Sequence, residues 1–451
     1  MVINQGFNIG DQITSQSGIE LHVIDLLGEG GQGQVYEVEC MGNRWALKYY
    51  TKESFATQTQ MDNLIHLIEI GAPNPTFLWP IDIVKKKDDP FFGYVMPLRP
   101  QNYASLIDYV KRRINPTFYS LITAAFSLAD SFSKLHAQGL CYRDISLGNV
   151  FIDPANGNVL ICDNDNVCYN NDGSIPRIGG TSGFMAPEIV LGKGVPNRNT
   201  DLYSLSVLLF YLLFISHPLN GIRETQVDCW DPDAEKRLYG SEALFIFDPH
   251  NKANEPDKQE HRNALLFWNL YPQSIKDYFI KAFTDGLYNP DNGRVREIEW
   301  KKALIELRNS LIYCLQCGSQ VFYDPRMLSD PSTPNSICWH CRNRIIVPPR
   351  IKIGNNGITI LNPDTTLYVH HLNPTSFDIS TPVARVSKHP SMNLYGLQNL
   401  SQQTWKVSTP DGKIQEVPSM KNAVIKNGVV IDFGSVKGEI RVSNPPVIDG
   451  R

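Results

Sequence analysis

A chain of 451 residues is too long for one compact core and leaves room for two to four domains. Its formal net charge of −4 at pH 7 excludes a protein that coats nucleic acid and gives no general attraction to a membrane surface. The opening Met1-Val2-Ile3-Asn4-Gln5-Gly6-Phe7 has no basic region followed by an apolar one, and the longest apolar stretch, around Val207 to Ile215, is far short of the roughly 18 residues of a spanning helix. A cytoplasmic protein is therefore expected. Nine cysteines, four of them in two Cys-x-x-Cys pairs, fit a reducing compartment with a metal site better than a disulfide framework.

In chain order, Ile19 to Leu27 reads as a strand that runs into Gly28-Glu29-Gly30-Gly31-Gln32-Gly33, and Val35 to Cys40 reads as its return. Gly-x-Gly-x-x-Gly between two strands suits a hairpin whose backbone lies over phosphates without side-chain obstruction. In a dinucleotide fold the glycines would open a helix, whereas Val35-Tyr36-Glu37-Val38 is a β-branched strand pattern. A Met41-Gly42-Asn43 turn leads to the strand Trp45-Ala46-Leu47-Lys48, and Phe55 to Ile70 has helical spacing at Leu64, Ile65 and Ile68. Phe77 to Pro80 and Phe92 to Met96 read as further strands. The apolar positions from Phe118 to Gln138 recur at helical spacing and end at Gly139, a helix cap.

The segment Tyr142-Arg143-Asp144-Ile145-Ser146-Leu147-Gly148-Asn149 then places a carboxylate and a carboxamide on one short loop. The Asp can orient an attacking hydroxyl and the Asn carbonyl oxygen can hold a divalent metal. Val159 to Cys162 reads as a buried strand that ends in Asp163, a carboxylate placed to bridge metal and nucleotide phosphates. Phosphoryl transfer needs such parts, because its transition state spreads negative charge and depends on alignment. Gly180-Thr181-Ser182-Gly183-Phe184-Met185-Ala186-Pro187-Glu188 follows, and a helix from Thr200 to Phe214 carries Asp201 at its start.

Taken together, these segments resemble the protein-kinase family, with Tyr-Arg-Asp for its His-Arg-Asp, Asp-Asn-Asp for its Asp-Phe-Gly, and a closely matching Ala-Pro-Glu segment. The resemblance implies an α+β bilobal kinase fold over residues 1–310, with an N-lobe of about 18–98 and a C-lobe of about 99–310. It also implies a serine/threonine kinase that uses ATP and Mg²⁺ on a protein substrate. Lys48 would hold the α- and β-phosphates, Asn149 and Asp163 the magnesium, and Asp144 the acceptor hydroxyl. The nucleotide would lie among Gly28, Gly30, Gly33, Val35, Ala46, Lys48, Met96 and Leu98. Family members pair the lysine with a helix glutamate; here Asp62 and Glu69 are both candidates, and the sequence leaves open which of them pairs or whether the pair is weak or absent. Arg294 is expected to pair with Glu188, and Asp201 to brace the catalytic loop.

The departures are Ser146, where serine/threonine kinases carry a lysine, and Asn164-Asp165, where they carry Phe-Gly. Asp165 would be a further metal ligand or a repulsive neighbour. These changes support the alternative of a nucleotide-binding pseudokinase that serves as a scaffold, while Ala186-Pro187-Glu188 disfavours a small-molecule kinase. Ser174 is the expected phosphosite of the segment.

Beyond the kinase-like part, Cys314-Leu315-Gln316-Cys317 and Cys338-Trp339-His340-Cys341 have zinc-ribbon spacing. A small ribbon over residues 311–347 with one structural Zn²⁺ is expected. After Pro348-Pro349, strand-like runs at Ile358 to Leu361, Thr366 to His370, Thr404 to Val407, Val429 to Phe433 and Glu439 to Val442, with no helix of any length, read as an all-β sandwich over 348–451. Tyr395 to Trp405 and Gly428 to Gly434 resemble the second half of a forkhead-associated domain, without the phosphate-recognition residues in register. The domain order resembles bacterial kinases of tellurite-resistance-associated gene neighbourhoods. That resemblance implies a von Willebrand A-type protein and a metal-dependent phosphatase as partners, with neither nucleic acid nor membrane.

Overall fold

The protein is described by a computed structural model over residues 6–87, 89–170, 180–330, 332–355, 357–389, 391 and 394–443. Ser174 lies outside the described residues. The chain divides into two compact units, Met1–Leu265 with Asp277–Trp300, and Leu266–Lys276 with Lys301–Arg451.

The first unit opens with strands β1 (Gln12–Thr14), β2 (Glu20–Glu29), β3 (Gly33–Cys40), β4 (Asn43–Tyr50), β5 (Asp82–Lys85) and β6 (Phe92–Pro97). They form one antiparallel sheet in the order β1-β2-β3-β4-β6-β5. Met41 and Gly42 both have positive φ and make the two-residue turn that returns β3 into β4, which fixes Cys40 opposite Asn43. Gly33 is required by packing, because a Cβ there would stand 2.0 Å from the Tyr49 carbonyl oxygen. The two-residue period of β4 sends Leu47 and Tyr49 into one apolar cluster with Val38 and Val95. Ala46 and Tyr50 go to the opposite face, among Met61, Leu64, Tyr94 and Met96. Lys48 shares that second face by the same alternation.

Helix α1 (Gln58–Ile70) covers this face and starts at Thr57, whose side chain accepts the Gln60 N–H. It is shorter than the Phe55 to Ile70 read from the sequence. Phe77 to Pro80 adds no strand to the sheet: Phe77 makes an isolated parallel bridge to Ile161, and Leu78 N–H donates to the Ile161 carbonyl. The apolar run there reflects burial of a crossing segment.

Below the sheet come β7 (Ala104–Ser105), α2 (Leu106–Val110), α3 (Phe118–Ala137), β8 (Leu140–Cys141), β9 (Val150–Ile152), β10 (Val159–Ile161) and β11 (Cys168–Tyr169). Gly139 ends α3 at φ 77°, as a cap should. Pairing of β8 with β11 and of β9 with β10 holds both ends of the 142–149 loop and sets Asp163 just beyond β10. The short α4 (Pro187–Val190) precedes α5 (Arg198–Phe214), which begins in a capping box of Asn197 and Thr200. That helix is buried on nearly every side, as its largely apolar sequence requires. The Asn220 to His261 stretch is largely irregular, with α6 (Pro232–Lys236) inside it. Then come α7 (Arg262–Leu270), α8 (Gln273–Phe283), α9 (Asp285–Tyr288) and α10 (Glu297–Asn309).

In the second unit, β12 (Leu311–Tyr313) pairs with β13 (Gln320–Phe322). The strands that follow are β14 (Arg350–Ile353), β15 (Ile358–Ile360), β16 (Thr366–Tyr368), β17 (Pro382–Lys388), β18 (Tyr395–Asn399), β19 (Trp405–Ser408), β20 (Ile414–Val417), β21 (Asn422–Val424), β22 (Val430–Asp432) and β23 (Lys437–Arg441). They make a six-stranded sheet, β15-β14-β23-β22-β19-β20, and a four-stranded one, β16-β17-β18-β21. Trp405, Leu367, Leu397 and Ile440 meet in the core between them. The all-β reading holds for both sheets, with one helical turn, α11 (Val369–Leu372), between β16 and β17. Among the described residues, no helix is long and apolar enough to cross a membrane.

Candidate active site

Lys48 is 5% exposed, and its ammonium has two carboxylate neighbours. It donates to Asp163 Oδ1 at 3.2 Å and to Asp165 at 3.1 Å (Oδ1) and 3.0 Å (Oδ2). Neither acidic residue of α1 is its partner. Asp62 and Glu69 lie seven residues apart, so they share one helix face, and both are exposed. Asp62 accepts the Gln58 amide at 2.7 Å. Of the alternatives the sequence left open, the absent helix pair is the one found, and the buried partner is Asp165. Its two oxygens, expected beside the metal as a further ligand or a repulsive neighbour, are taken up by the lysine and two tyrosine hydroxyls.

Asp165 is 1% exposed. Besides the lysine, it accepts the Tyr50 hydroxyl at 2.5 Å and the Tyr94 hydroxyl at 3.0 Å. Tyr50 stands two residues past Lys48 on β4, and Tyr94 lies directly across from Lys48 on β6, so the sheet itself delivers all three groups to one place. Helix α1 contributes carboxamides: Gln60 donates to the Asp165 carbonyl at 2.8 Å and Asn63 to the Val167 carbonyl at 2.9 Å. Burial pulls the Lys48 ammonium down, but Asp165 and Asp163 outweigh it and hold the group above the ordinary lysine range. Burial likewise pushes Asp165 up, and the lysine with its two phenols brings it below the usual carboxylate value. The Tyr50 and Tyr94 phenols are driven well up by burial and then by Asp165.

Asn164 takes up the place between the two carboxylates. It is fully buried, and its amide donates to the carbonyls of Leu78 at 2.8 Å and Ile161 at 3.0 Å. A hydrogen-bonded pin thus stands where the family carries an apolar ring. Asp163 sits at φ 53°, a left-handed conformation that Asp tolerates better than bulky residues. Its side chain is 38% exposed, with one oxygen on Lys48.

On the loop between β8 and β9, Asn149 donates to the Asp144 carbonyl at 2.9 Å and to Asp144 Oδ2 at 3.0 Å. The amide nitrogen is so engaged, and the carbonyl oxygen is the atom left to meet a cation. The other Asp144 oxygen accepts the Thr181 N–H at 2.9 Å and its hydroxyl at 2.8 Å. Burial, above all, raises the Asp144 carboxyl despite these donors. Arg143 Nε donates to the Asn166 carbonyl at 2.6 Å. The loop backbone is held by Asp201, which accepts from Tyr142 N–H at 2.6 Å and Arg143 N–H at 3.0 Å. Tyr142 itself donates its hydroxyl to the Cys162 carbonyl.

Sequence reasoning missed the support behind Asp201. His136 lies 3.1 Å from Asp201 through Nε2 and contacts Glu297 through Nδ1, and Arg198 meets Glu297 at 2.8 Å. A His at the end of α3 looks like ordinary core filling in the sequence, and nothing there announces a carboxylate 161 residues later. The expected pairing of Arg294 with Glu188 is present at 2.8 Å.

The remaining residues expected around a nucleotide fall on one side of the sheet. Gly28 stands opposite Val35, and Ala46 opposite Met96. Val35, Ala46, Met96 and Leu98 belong to one apolar cluster. A Cβ at Gly28 or Gly30 would meet nothing within 4 Å, so the fold leaves open space above that hairpin. The donors therefore suit Mg²⁺: a carboxylate and a carboxamide oxygen, hard ligands of the kind this ion takes.

A separate cluster joins Cys314, Cys317, Cys338 and Cys341, whose sulfurs all lie within 4.8 Å of one another. Cys314 and Cys341 are 3.6 Å apart, and Cys317 and Cys338 are 3.7 Å apart. Four thiolates at about 2.3 Å from a tetrahedral Zn²⁺ stand roughly 3.8 Å apart, so the set fits that ion.

Residues 21–255 match the protein kinase domain, more than half of the chain, and the chain belongs to the protein kinase family. It is similar to the cell cycle serine/threonine-protein kinase CDC5/MSD2 of Saccharomyces cerevisiae, with 28% identity over 57% of this chain and 38% of that one. Protein kinase YegI of Escherichia coli shares 23% over 67% of this chain and 47% of its own. The DNA damage-responsive serine/threonine-protein kinase RqkA of Deinococcus radiodurans shares 28% over 46% of this chain and 31% of its own. The chain thus spans less than half the length of these relatives.

Proposed function

We propose that the chain is a cytoplasmic serine/threonine protein kinase that moves the γ-phosphoryl group of ATP to a hydroxyl of a partner protein. The observation that carries this reading is the convergence of Lys48, Asp163, Asn149 and Asp144, with Thr181 on Asp144 at 2.8 Å. Lys48 would hold the phosphates, and Asp163 with the Asn149 carbonyl oxygen would hold Mg²⁺, which supplies charge neutralisation when bound. Asp144 orients the acceptor hydroxyl and takes its proton as the oxygen–phosphorus bond forms and ADP departs. Alignment accounts for most of the acceleration. An intact set of these four side chains favours transfer over the pseudokinase alternative.

The cysteine cluster supports a structural zinc ribbon, because four thiolates fill every tetrahedral position and leave none for substrate. The two antiparallel sheets that follow support a forkhead-associated-like scaffold. The von Willebrand A-type and phosphatase partners rest on the resemblance of the domain order.

The test is incubation of the full chain with labelled ATP and Mg²⁺ beside Asp144→Asn and Asp163→Ala. Label on Ser or Thr in the wild type, lost in both variants, is expected. Equal labelling in Asp144→Asn would overturn the reading, and transfer preserved in Asp163→Ala would move the metal site elsewhere.

A further inference from the structure

A lysine that is 5% exposed needs a carboxylate, because a buried charge left without its partner is strongly destabilising. In this protein the helix that faces Lys48 brings no charge to it. The α1 side chain turned toward the site is Gln60, whose amide is spent on the Asp165 carbonyl at 2.8 Å and lies 3.3 Å from the Tyr50 hydroxyl. Both oxygens of Asp165 face the lysine instead, and two tyrosine hydroxyls fix their orientation.

We infer that Asp165 is the lysine-positioning residue of this kinase, supplying from the turn that follows Asp163 the counter-charge that Gln60 cannot supply from the helix. The inference rests on the kinase reading above and deepens it. Asp163 and Asp165 lie at and within one helical turn, Asn164–Asn166, pinned by the Asn164 amide. The carboxylate on the metal side and the carboxylate that holds the lysine therefore move together. A shift of α1 alone would break amide contacts of Gln60 and Asn63 and leave the ion pair whole. A rearrangement of the turn would remove both carboxylates from Lys48 at once.

The experiment compares wild type, Asp165→Asn, the charge-relocating double variant Gln60→Glu with Asp165→Asn, and a helix control with Asp62→Asn and Glu69→Gln, all as full chains. Two readouts are taken: kcat and KM for ATP across a Mg²⁺ series, and the Kd of a non-hydrolysable ATP analogue by calorimetry. Asp165→Asn is expected to raise the ATP KM and the Kd about tenfold and to lower kcat about 10²-fold, in line with losing one preorganised electrostatic group. The double variant should recover at least tenfold of that loss, and the helix control should stay within twofold.

Wild-type constants in Asp165→Asn, or a double variant no better than the single, would overturn the inference. A raised Mg²⁺ requirement with an unchanged KM would also overturn it, by making Asp165 a metal ligand. Should Asp165→Asn fail to fold, Tyr50→Phe and Tyr94→Phe decide, each removing one hydroxyl from Asp165. A rise of a few-fold in Kd supports the inference, and unchanged Kd in both refutes it. If the wild type transfers no phosphate, the kinase reading falls, while the Kd comparison still decides the pairing.

Discussion

Arg294 donates to the Glu188 carboxylate at 2.8 Å across 106 residues of chain. Arg294 is 4% exposed and its guanidinium lies 5.6 Å from the Tyr203 ring; Nη2 makes the bond to Glu188, and Nη1 has no hydrogen-bond partner among the described residues. Glu188→Gln would leave that cation buried without a counter-charge. Because the Glu188 side chain keeps 25% of its exposure, the expected loss is about 2–3 kcal/mol, at or just below the lower end for a broken buried pair. Urea unfolding followed through buried Trp300 measures it, and a loss under about 0.5 kcal/mol would refute the pairing as a stabilising contact.

The His136 network predicts a pH-dependent penalty. Burial disfavours its imidazolium, but Asp201 and Glu297 outweigh burial and raise the group above its usual 6.5. Burial pushes Glu297 up, yet His136 and Arg198 bring it to about 2 from the usual 4.5. The histidine contribution is whole below about pH 6.5 and is lost as pH rises through the raised value. That of Glu297 is whole above about pH 4.5 and is lost as pH falls through about 2. Both are complete between about pH 4.5 and 6.5. His136→Gln should therefore destabilise most in that window, and its penalty should shrink as pH rises further. Melting temperatures of both proteins from pH 5 to 9 test this, and a penalty that grows with pH contradicts it.

His217 runs the other way. Its Nε2–H donates to the Gly183 carbonyl at 2.7 Å and its Nδ1 accepts the Leu219 N–H at 3.1 Å, which fixes a neutral ring. Burial lowers its pKa to about 4. The unfolded chain takes up the proton first, so stability drains from about pH 6.5 downward and levels off below about 4. His217→Gln keeps a donor and an acceptor without the titration. The variant should gain about 3 kcal/mol on wild type between pH 7 and 4, read as converging denaturation midpoints. Parallel curves would mean that His217 does not titrate in this way.

For the cysteine cluster, the purified protein should carry one zinc per chain. Cys338 is fully buried beside Ile312, Val321 and Ile345, so Cys338→Ser should release the metal and expose residues 311–347 to protease. Elemental analysis of the wild type that finds no zinc would end this reading.

The parts readable from sequence were those whose chemistry lies on one short segment. The glycine hairpin, the Lys48 strand, the 142–149 loop and the two Cys-x-x-Cys pairs each announce themselves by local spacing. The partner of Lys48 did not, because it comes from 117 residues away and from a turn, while the residues weighed for it lay on a helix. A signal was present nonetheless: the two-residue period puts Tyr50 beside Lys48, and a buried Lys-x-Tyr face calls for an anion. Strand β20 was missed because three of its four residues are exposed, which leaves no apolar alternation to see. Strand β17 opens on a proline, and β18 contains a glycine, both of which weaken strand patterns.

Ile360, on the edge strand β15 of the six-stranded sheet, packs in one cluster with Ile312, Cys314, Val321 and Cys338, and Asn362 donates to the Leu311 carbonyl at 2.8 Å. The cysteine-bearing hairpin thus acts as the cover of an otherwise bare sheet edge. A fragment beginning at Pro348 would present Ile358 and Ile360 on an open strand, the kind of edge that recruits other chains into aggregates. One beginning before Leu311 would keep it sealed. In any recombination of modules between proteins, the cysteine-bearing hairpin and the two sheets after it must therefore travel together.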